Sequence, residues 1–598
     1  VTNQLGIGDY GVIGDLHTAA LVGRDGSIDW CCVPRFDSPS VFAALLDPAV
    51  GGRWQIRPAG GWTSDQRYLP ATNVLVTAFH ADAGGVLEVT DLMPVGPGRA
   101  GRSELHRRVH CPRGPVDVEV IFEPRFDYGL REPTLTLRAF GVLATDQEDD
   151  VATVATTAGA QWRLEPGRAE LRQRLDTGDT AWFVMRFDDD EVHPIEAYES
   201  QRKLDETARW WDAWASGLLY QGPYRREVER SALVLKLCCY EPSGAIIAAP
   251  TMSLPEERGG GRNWDYRYTW LRDSAFVLYA LDGLGFSAEA DAFLQFLKRV
   301  CRRTDGRHLQ ILFAVDGRRE VSERQLDHLA GFRGARPVRV GNGAASQFQL
   351  DVYGELLDAV GTWRRGREVP EGLWKVARDL VDWTAAHWRE PDWGIWEARV
   401  EPKHYVHSKV MAWAALREGA RLARDLRAAD LVERWTREAD VLHAEVCERG
   451  WDPVRRTFVQ AYGEPQLDAA LLVIPKVRFL PRTDPRVRST LEAVRRELAT
   501  TCEELVYRYR ASDGLSGDEG AFVACSFWMV QNLALVGEHA EAERLFRNLL
   551  RRANHLGLLA EEIDPATGEQ LGNFPLGLSH AALINTAYIL ERLRPAPS

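Results

Sequence analysis

Trp182-Phe183-Val184-Met185-Arg186-Phe187, and the segment from Ala197 to Ser216 that follows it, mark the point where this 598-residue chain changes its hydrophobic period. The first stretch has the short, aromatic and branched character of a strand. The second repeats its apolar residues at helical spacing and carries Trp210, Trp211 and Trp214. Upstream, Val74-Leu75-Val76-Thr77-Ala78-Phe79, Leu87-Glu88-Val89-Thr90-Asp91 and Val116-Asp117-Val118-Glu119-Val120-Ile121-Phe122 are further short runs, broken by Gly, Pro and Asp turns. Many strands at this spacing predict an antiparallel β-sandwich over residues 1–195. Residues 196–223 then form a linker helix.

From Tyr224 onward the period is helical almost to the end. About twelve segments can be counted: 224–239, 273–284, 287–303, 344–363, 370–388, 406–424, 427–448, 465–479, 485–500, 519–536, 539–553 and 576–593. Paired antiparallel, they predict an (α/α)6 barrel over 224–598, and so a multidomain β plus α chain. The longer connections, 250–272, 304–343, 389–405, 501–518 and 554–575, would gather at one end of such a barrel.

A mass of 67.2 kDa is too large for one ordinary core. The net charge of -13 and pI near 5.7 argue against a nucleic-acid partner or an anionic membrane surface. No apolar run approaches the ~20 residues of a membrane span. Val1-Thr2-Asn3-Gln4-Leu5-Gly6 has neither the basic nor the apolar region of an export signal. Of nine Cys, the pairs Cys31-Cys32 and Cys238-Cys239 are adjacent, a poor spacing for disulfides or zinc, and the others read as small core residues. Together these features predict a reduced, cytoplasmic protein. Homo-oligomer formation is left open.

Arg262-Asn263-Trp264-Asp265-Tyr266-Arg267-Tyr268-Thr269-Trp270-Leu271-Arg272-Asp273 interleaves charges with aromatic rings. A core would not hold so many charges unpaired, and a solvated face would not hold so many rings. A sugar-binding cleft wants both: flat rings against C–H faces, and charged forks for hydroxyls. An aromatic–Arg network at a helix entrance is the structural alternative.

Two Glu residues stand out. Glu397 lies in Asp392-Trp393-Gly394-Ile395-Trp396-Glu397-Ala398-Arg399, where a carboxyl beside Trp396 can be kept protonated as a general acid requires. It equally suits an acid placed at a helix N-terminus. Glu561 and Glu562 lie in Leu558-Leu559-Ala560-Glu561-Glu562-Ile563-Asp564, an acidic spot able to accept a proton from water, or simply a solvated cluster. Two carboxyls flanking a sugar-binding floor are what glycosidic hydrolysis needs. Arg336-Pro337-Val338-Arg339-Val340-Gly341-Asn342-Gly343 could hold sugar hydroxyls or a phosphate, or act only as a capping turn. Tyr405, His407 and Ser408 have neither metal nor triad spacing, and no HExxH, Walker loop or GxSxG occurs. No metal or cofactor is expected.

Taken together, these stretches resemble glycoside hydrolase family 15, the glucoamylase-like family, over nearly the whole chain. Ile7-Gly8-Asp9-Tyr10-Gly11-Val12-Ile13-Gly14-Asp15, Gly26-Ser27-Ile28-Asp29-Trp30 and Pro34-Arg35-Phe36-Asp37-Ser38-Pro39-Ser40 are similar to the opening of its bacterial members. The resemblance implies that Arg272 and Asp273 hold the non-reducing glucose, with Trp264, Tyr266, Trp270 and Trp396 around it. It implies Glu397 as general acid and Glu561 as general base. Glu562, where fungal glucoamylases often carry Gln, becomes a substrate-binding residue one position from the base. Gly572-Asn573-Phe574-Pro575, Ser579-His580-Ala581-Ala582-Leu583 and Asp513-Gly514-Leu515-Ser516-Gly517-Asp518-Glu519-Gly520 are most similar to the family's bacterial trehalase branch. The implied activity is an inverting, exo-acting hydrolysis of a small α-glucoside, trehalose first, with maltose, isomaltose or short α-glucans as the alternative. A pocket for trehalose should be closed on its far side by polar groups, for which His308, Arg336, Arg339, Arg508 and Arg510 are candidates.

Overall fold

The computed structural model describes residues 4–99, 103–157, 160–301, 308–501, 504–515 and 517–594. Up to Phe187 the chain forms two eight-stranded antiparallel sheets. The first runs Tyr10–Gly14, Ala19–Gly23, Ser27–Cys32, Arg53–Pro58, Val116–Glu123, Arg168–Leu175 and Trp162–Glu165, with Ser40–Phe42 paired to Ser27–Cys32. The second runs Thr134–Arg138, Gly141–Thr145, Val151–Thr156, Thr180–Phe187, Glu104–Arg113, Val86–Leu92, Leu75–Ala81 and Trp62–Tyr68. Period-two patterning sets the faces: Val116, Val118 and Val120 are buried while Asp117 is exposed. Strands Tyr10–Gly14 and Arg53–Pro58 of the first sheet meet Leu75–Ala81 and Val86–Leu92 of the second.

Helix α1 (Ser200–Ala215) follows, with Trp211 buried and Trp214 stacked on Phe286 at 4.0 Å. The rest of the chain is helical: α2 (Arg225–Leu237), α3 (Leu271–Gly283), α4 (Ser287–Cys301), α5 (Asp351–Trp363), α6 (Glu371–His387), α7 (Val406–Asp425), α8 (Ala429–Arg449), α9 (Pro485–Leu498), α10 (Val523–Leu535), α11 (His539–Leu550) and α12 (Gly577–Arg592). Their burial sorts them into two sets. Helix α10 is buried from Val523 through Ala534, as a helix enclosed on all sides must be. Helix α11 buries only Ala542, Leu545, Phe546 and Leu549, one stripe at helical spacing. The enclosed set closes on itself: α3 packs on α5, α5 on α7, α7 on the 3-10 turn Ala469–Val473, that turn on α10, α10 on α12, and α12 back on α3.

The segment expected as a helix over 465–479 is therefore only that short turn. Asp468 caps it by accepting from the Ala470 N–H, and Pro475 ends it, because proline brings no N–H and clashes with the preceding turn. The expected helix over 344–363 likewise begins late, at Asp351, after the 3-10 turn Gly343–Ser346. The eight described cysteines are all free thiols, seven of them buried. Among the described residues, no helix is long and apolar enough to cross a membrane.

The sheets and the helices share polar joints. Trp30 Nε1 donates to the Pro250 carbonyl at 2.8 Å, and Asn554 Nδ2 donates to the Gly8 and Tyr10 carbonyls at 3.1 and 2.9 Å. Arg267 is fully buried and forks onto Asp265 at 2.9 and 2.7 Å. The same guanidinium donates to the Ser38 carbonyl at 2.7 Å and to the Tyr128 hydroxyl at 2.9 Å, both in the sheet half.

Candidate active site

Four segments that each lead into an enclosed helix supply one cavity. They are the stretch before α3, the turn before α7, the loop before α10 and the hairpin before α12. The cavity is lined among others by Trp264, Tyr266, Trp270, Arg272, Asp273, Trp396, Glu397, Arg508 and Glu561.

Glu397 stands in a tight turn with φ +60°, a left-handed conformation costly for a residue with a side chain. Its Oε1 accepts from Trp270 Nε1 at 2.7 Å and lies 3.5 Å from Arg272 Nη2. Arg272 is held by its neighbours: Nη1 donates to Gln349 Oε1 at 3.1 Å and to the Ile395 carbonyl at 2.9 Å, and Nη2 pairs with Asp273 at 3.1 Å. Burial raises the Asp273 carboxyl above its usual range, against the pull of Arg272. Trp396 is fixed through its Nε1, which donates to Asp468 at 2.9 Å.

Glu561 is 1% exposed. Tyr266 OH donates to its Oε1 at 2.6 Å, and the Asn573 N–H approaches its Oε2 at 3.3 Å. Burial, and then the charge of Glu256, push the carboxyl up to about 8. Gly572 has φ +71°, and a Cβ there would come 2.5 Å from Glu561 Oε2, so the hairpin leaves the carboxylate its room only with glycine. Glu562 pairs in register with Phe522 and Leu571, and the strand alternation turns it away from the cavity. It accepts from the Gly520 N–H at 2.7 Å and lies 3.2 Å from Arg508.

Glu562 is thus corrected from a substrate-binding residue to part of a buried support, with Glu256, Glu519 and Arg508. These three carboxylates have oxygens within 4.8 Å of one another, the spacing of a cation site. Arg508 Nη2 already pairs with all three and supplies the positive charge. Arg336 is exposed between the buried Ala335 and Val338 and donates to the Ala330 carbonyl. Arg339 does not line the cavity; it lies behind Trp264, its guanidinium 4.5 Å from the ring centroid, and donates to the Gly261 and Asn263 carbonyls. His308, beside Phe348, and Arg510, exposed against Tyr507, are also outside the cavity lining. Of the five wall candidates, the cavity takes Arg508.

Sequence reasoning missed Glu256, Arg399, Tyr509 and Asp513, which also line it, and it named Arg262 only as the first residue of the stretch read as a cleft. Only Arg399 carried a signal, since it stands two residues after Glu397. The others are brought in by pairing that no local pattern announces: Arg262 forks onto Asp513 at 2.6 and 3.1 Å, and Tyr509 OH donates to Asp513 at 2.7 Å.

A cleft with one carboxyl on each of two facing loops, over a floor of Trp and Tyr, is the working part of a glycoside hydrolase. The model of glycosyl hydrolases family 15 matches residues 222–588, and that of a trehalase-like N-terminal domain matches residues 3–211. A trehalase of Mycolicibacterium smegmatis is 40% identical over 97% of this chain and 90% of its own length. A trehalase of Thermoplasma volcanium is 38% identical over 97% of this chain and 93% of its own. In fold, the chain is similar to a bacterial glucoamylase solved with acarbose, with TM-score 0.75 and 12% identity over 98% of this chain and 94% of that one. The chain belongs to glycosyl hydrolases family 15.

Proposed function

We propose that the protein is a trehalase, an inverting exo-acting hydrolase that splits α,α-trehalose into two glucose molecules. The observation that carries this reading is the lining of one cavity by Glu397 and Glu561 with Arg272 and Asp273, in a chain whose full-length relatives are named trehalases. Glu397 protonates the glycosidic oxygen through Oε2, while Trp270 and Arg272 hold its Oε1. Glu561 takes a proton from the water that attacks the opposite face of the ring. Tyr266 and the Asn573 N–H favour its charged form, opposing the burial that raises it. Arg272 and Asp273 bind the hydroxyls of the glucose under attack.

The helical half is read as an (α/α)6 barrel over 224–598 in which one inner member is the short turn Ala469–Val473. The sheet domain spans 1–195, and 196–223 link the two. The eight described free thiols support a reducing, cytoplasmic setting.

Three measurements test the function. Side-by-side kcat/KM on trehalose, maltose, isomaltose and soluble starch should favour trehalose clearly; preference for maltose or starch makes the enzyme glucoamylase-like. Proton NMR of fresh trehalose product should show α- and β-glucose in equal amounts, since only the attacked sugar inverts. Product that is all α would mean retention. A substrate-analogue complex should place the two carboxyl groups roughly 6.5–9.5 Å apart, the room an attacking water needs.

A further inference from the structure

Four arginines line the cavity; two of them, Arg262 and Arg508, are spent on the protein itself, and a third, Arg272, already serves the glucose under attack. Arg262 forks onto Asp513. Arg272 is taken by Gln349, Ile395 and Asp273. Arg508 is enclosed by Glu256, Glu519 and Glu562. Arg399 differs. Its side chain is 30% exposed, and its partner is Glu323, with Nη2 to Oε2 at 3.5 Å, beyond a good hydrogen bond. Its guanidinium carbon stands 5.2 Å from the centroid of the Trp264 ring, whose other close cation is Arg339 at 4.5 Å. The backbone beneath Arg399 is fixed: its N–H donates to the Asp513 carbonyl at 2.9 Å, and its own carbonyl closes on Gly514, where φ is +84° and a Cβ would come 2.7 Å from that oxygen.

We infer that Arg399, carried on Trp264, is the residue that recognises the leaving sugar. The inference rests on the glycosidase reading above and adds the subsite that reading lacks. Arg399 lies two positions after the proposed acid, on the same turn, so it belongs to the side where the glycosidic oxygen departs. A guanidinium has five N–H donors in a rigid fork, and Arg399 sets them against a ring. A second glucose unit offers that surface vicinal hydroxyls for the fork. The ligand class is therefore a hexose with adjacent free hydroxyls. A bare alkyl leaving group gives the fork nothing to bind.

The test compares a disaccharide with methyl α-glucoside, whose leaving group needs the same protonation but has no hydroxyls. In Arg399→Ala, the ratio of kcat/KM for trehalose to that for methyl α-glucoside, both read at high enzyme concentration, should fall at least tenfold. Arg399→Lys should recover part of that ratio and no more, since an ammonium keeps the charge and loses the fork. An unchanged ratio in Arg399→Ala, whether both values fall together or neither falls, would overturn the inference. So would full recovery by lysine. If the wild-type enzyme prefers maltose, the trehalase reading fails on that result alone. The same ratio, taken with maltose, still decides the role of Arg399.

Discussion

Glu561 and Glu562 are adjacent, alike and both fully enclosed, yet the strand turns them to opposite sides, and that sets up the sharpest prediction at the residue scale. Glu561→Gln should lower kcat by about 10²–10⁴, the usual worth of a positioned acid or base, and Glu562→Gln by less than tenfold. Steady-state rates on purified variants check this; a crippling Glu562→Gln would move the base by one residue. Tyr266 gives the sign of a pH effect. Its hydroxyl donates to Glu561 and so favours the carboxylate. Tyr266→Phe should shift the acidic limb of kcat/KM upward, by about one unit for the loss of a hydrogen bond to a charge. Asp273→Ala removes the partner of Arg272 together with a hydroxyl acceptor, and kcat/KM should fall about 10–100-fold at charge-assisted bond strengths. Glu397 and Glu561 stood out as candidates because each sits beside apolar residues in a segment leading to a helix, and only the family resemblance gave them the roles of acid and base. Glu256 did not stand out, because its role comes from Arg508, which is distant in sequence and adjacent only in the fold.

Among the elements, period decided what could be read. Eleven of the helical segments from Tyr224 onward were visible as apolar repeats, and the strands as short alternating runs. The segment 465–479 has the apolar content of a helix, and only Pro475 betrays that it cannot run through. The loops resist such reading, since their shape is set by partners. Arg267 is the clearest case: interleaved with Tyr266 and Tyr268 it suggests a sugar contact, yet it is a buried tie between the loop before α3 and the sheets. Arg267→Ala leaves Asp265 buried and unpaired and should cost about 3–5 kcal/mol. The double change Arg267→Ala with Asp265→Ala should cost less than the sum of the single changes. Chemical denaturation of the three variants measures the coupling, and additivity would show that the pair is not one unit.

For the whole molecule, the buried acids predict how stability follows pH. Burial raises Asp351 to about 7 and Glu355 and Glu561 to about 8. A carboxyl whose folded value is raised binds its proton more tightly in the native state, so its contribution is full below the ordinary range and is lost as pH climbs to the raised value. His407 and His580, lowered to about 3 by burial, act in the other direction, but their gain is complete once the unfolded imidazole has lost its proton near 6.5. Between pH 6.5 and 8 the acids prevail, and the melting temperature should fall by a few degrees; a flat or rising profile in calorimetry would contradict this. The division of the chain into β and α parts was plain from the change of period near Ala197. What no period could reveal is how tightly the parts are joined. Because Arg267 fastens the loop bearing Tyr266 and Trp270 to Ser38 and Tyr128, the front of this gene is no interchangeable cassette. A recombinant that takes its first two hundred or so codons from a cousin sets its own loop into a frame cut for another, unless the matching grips travel with it.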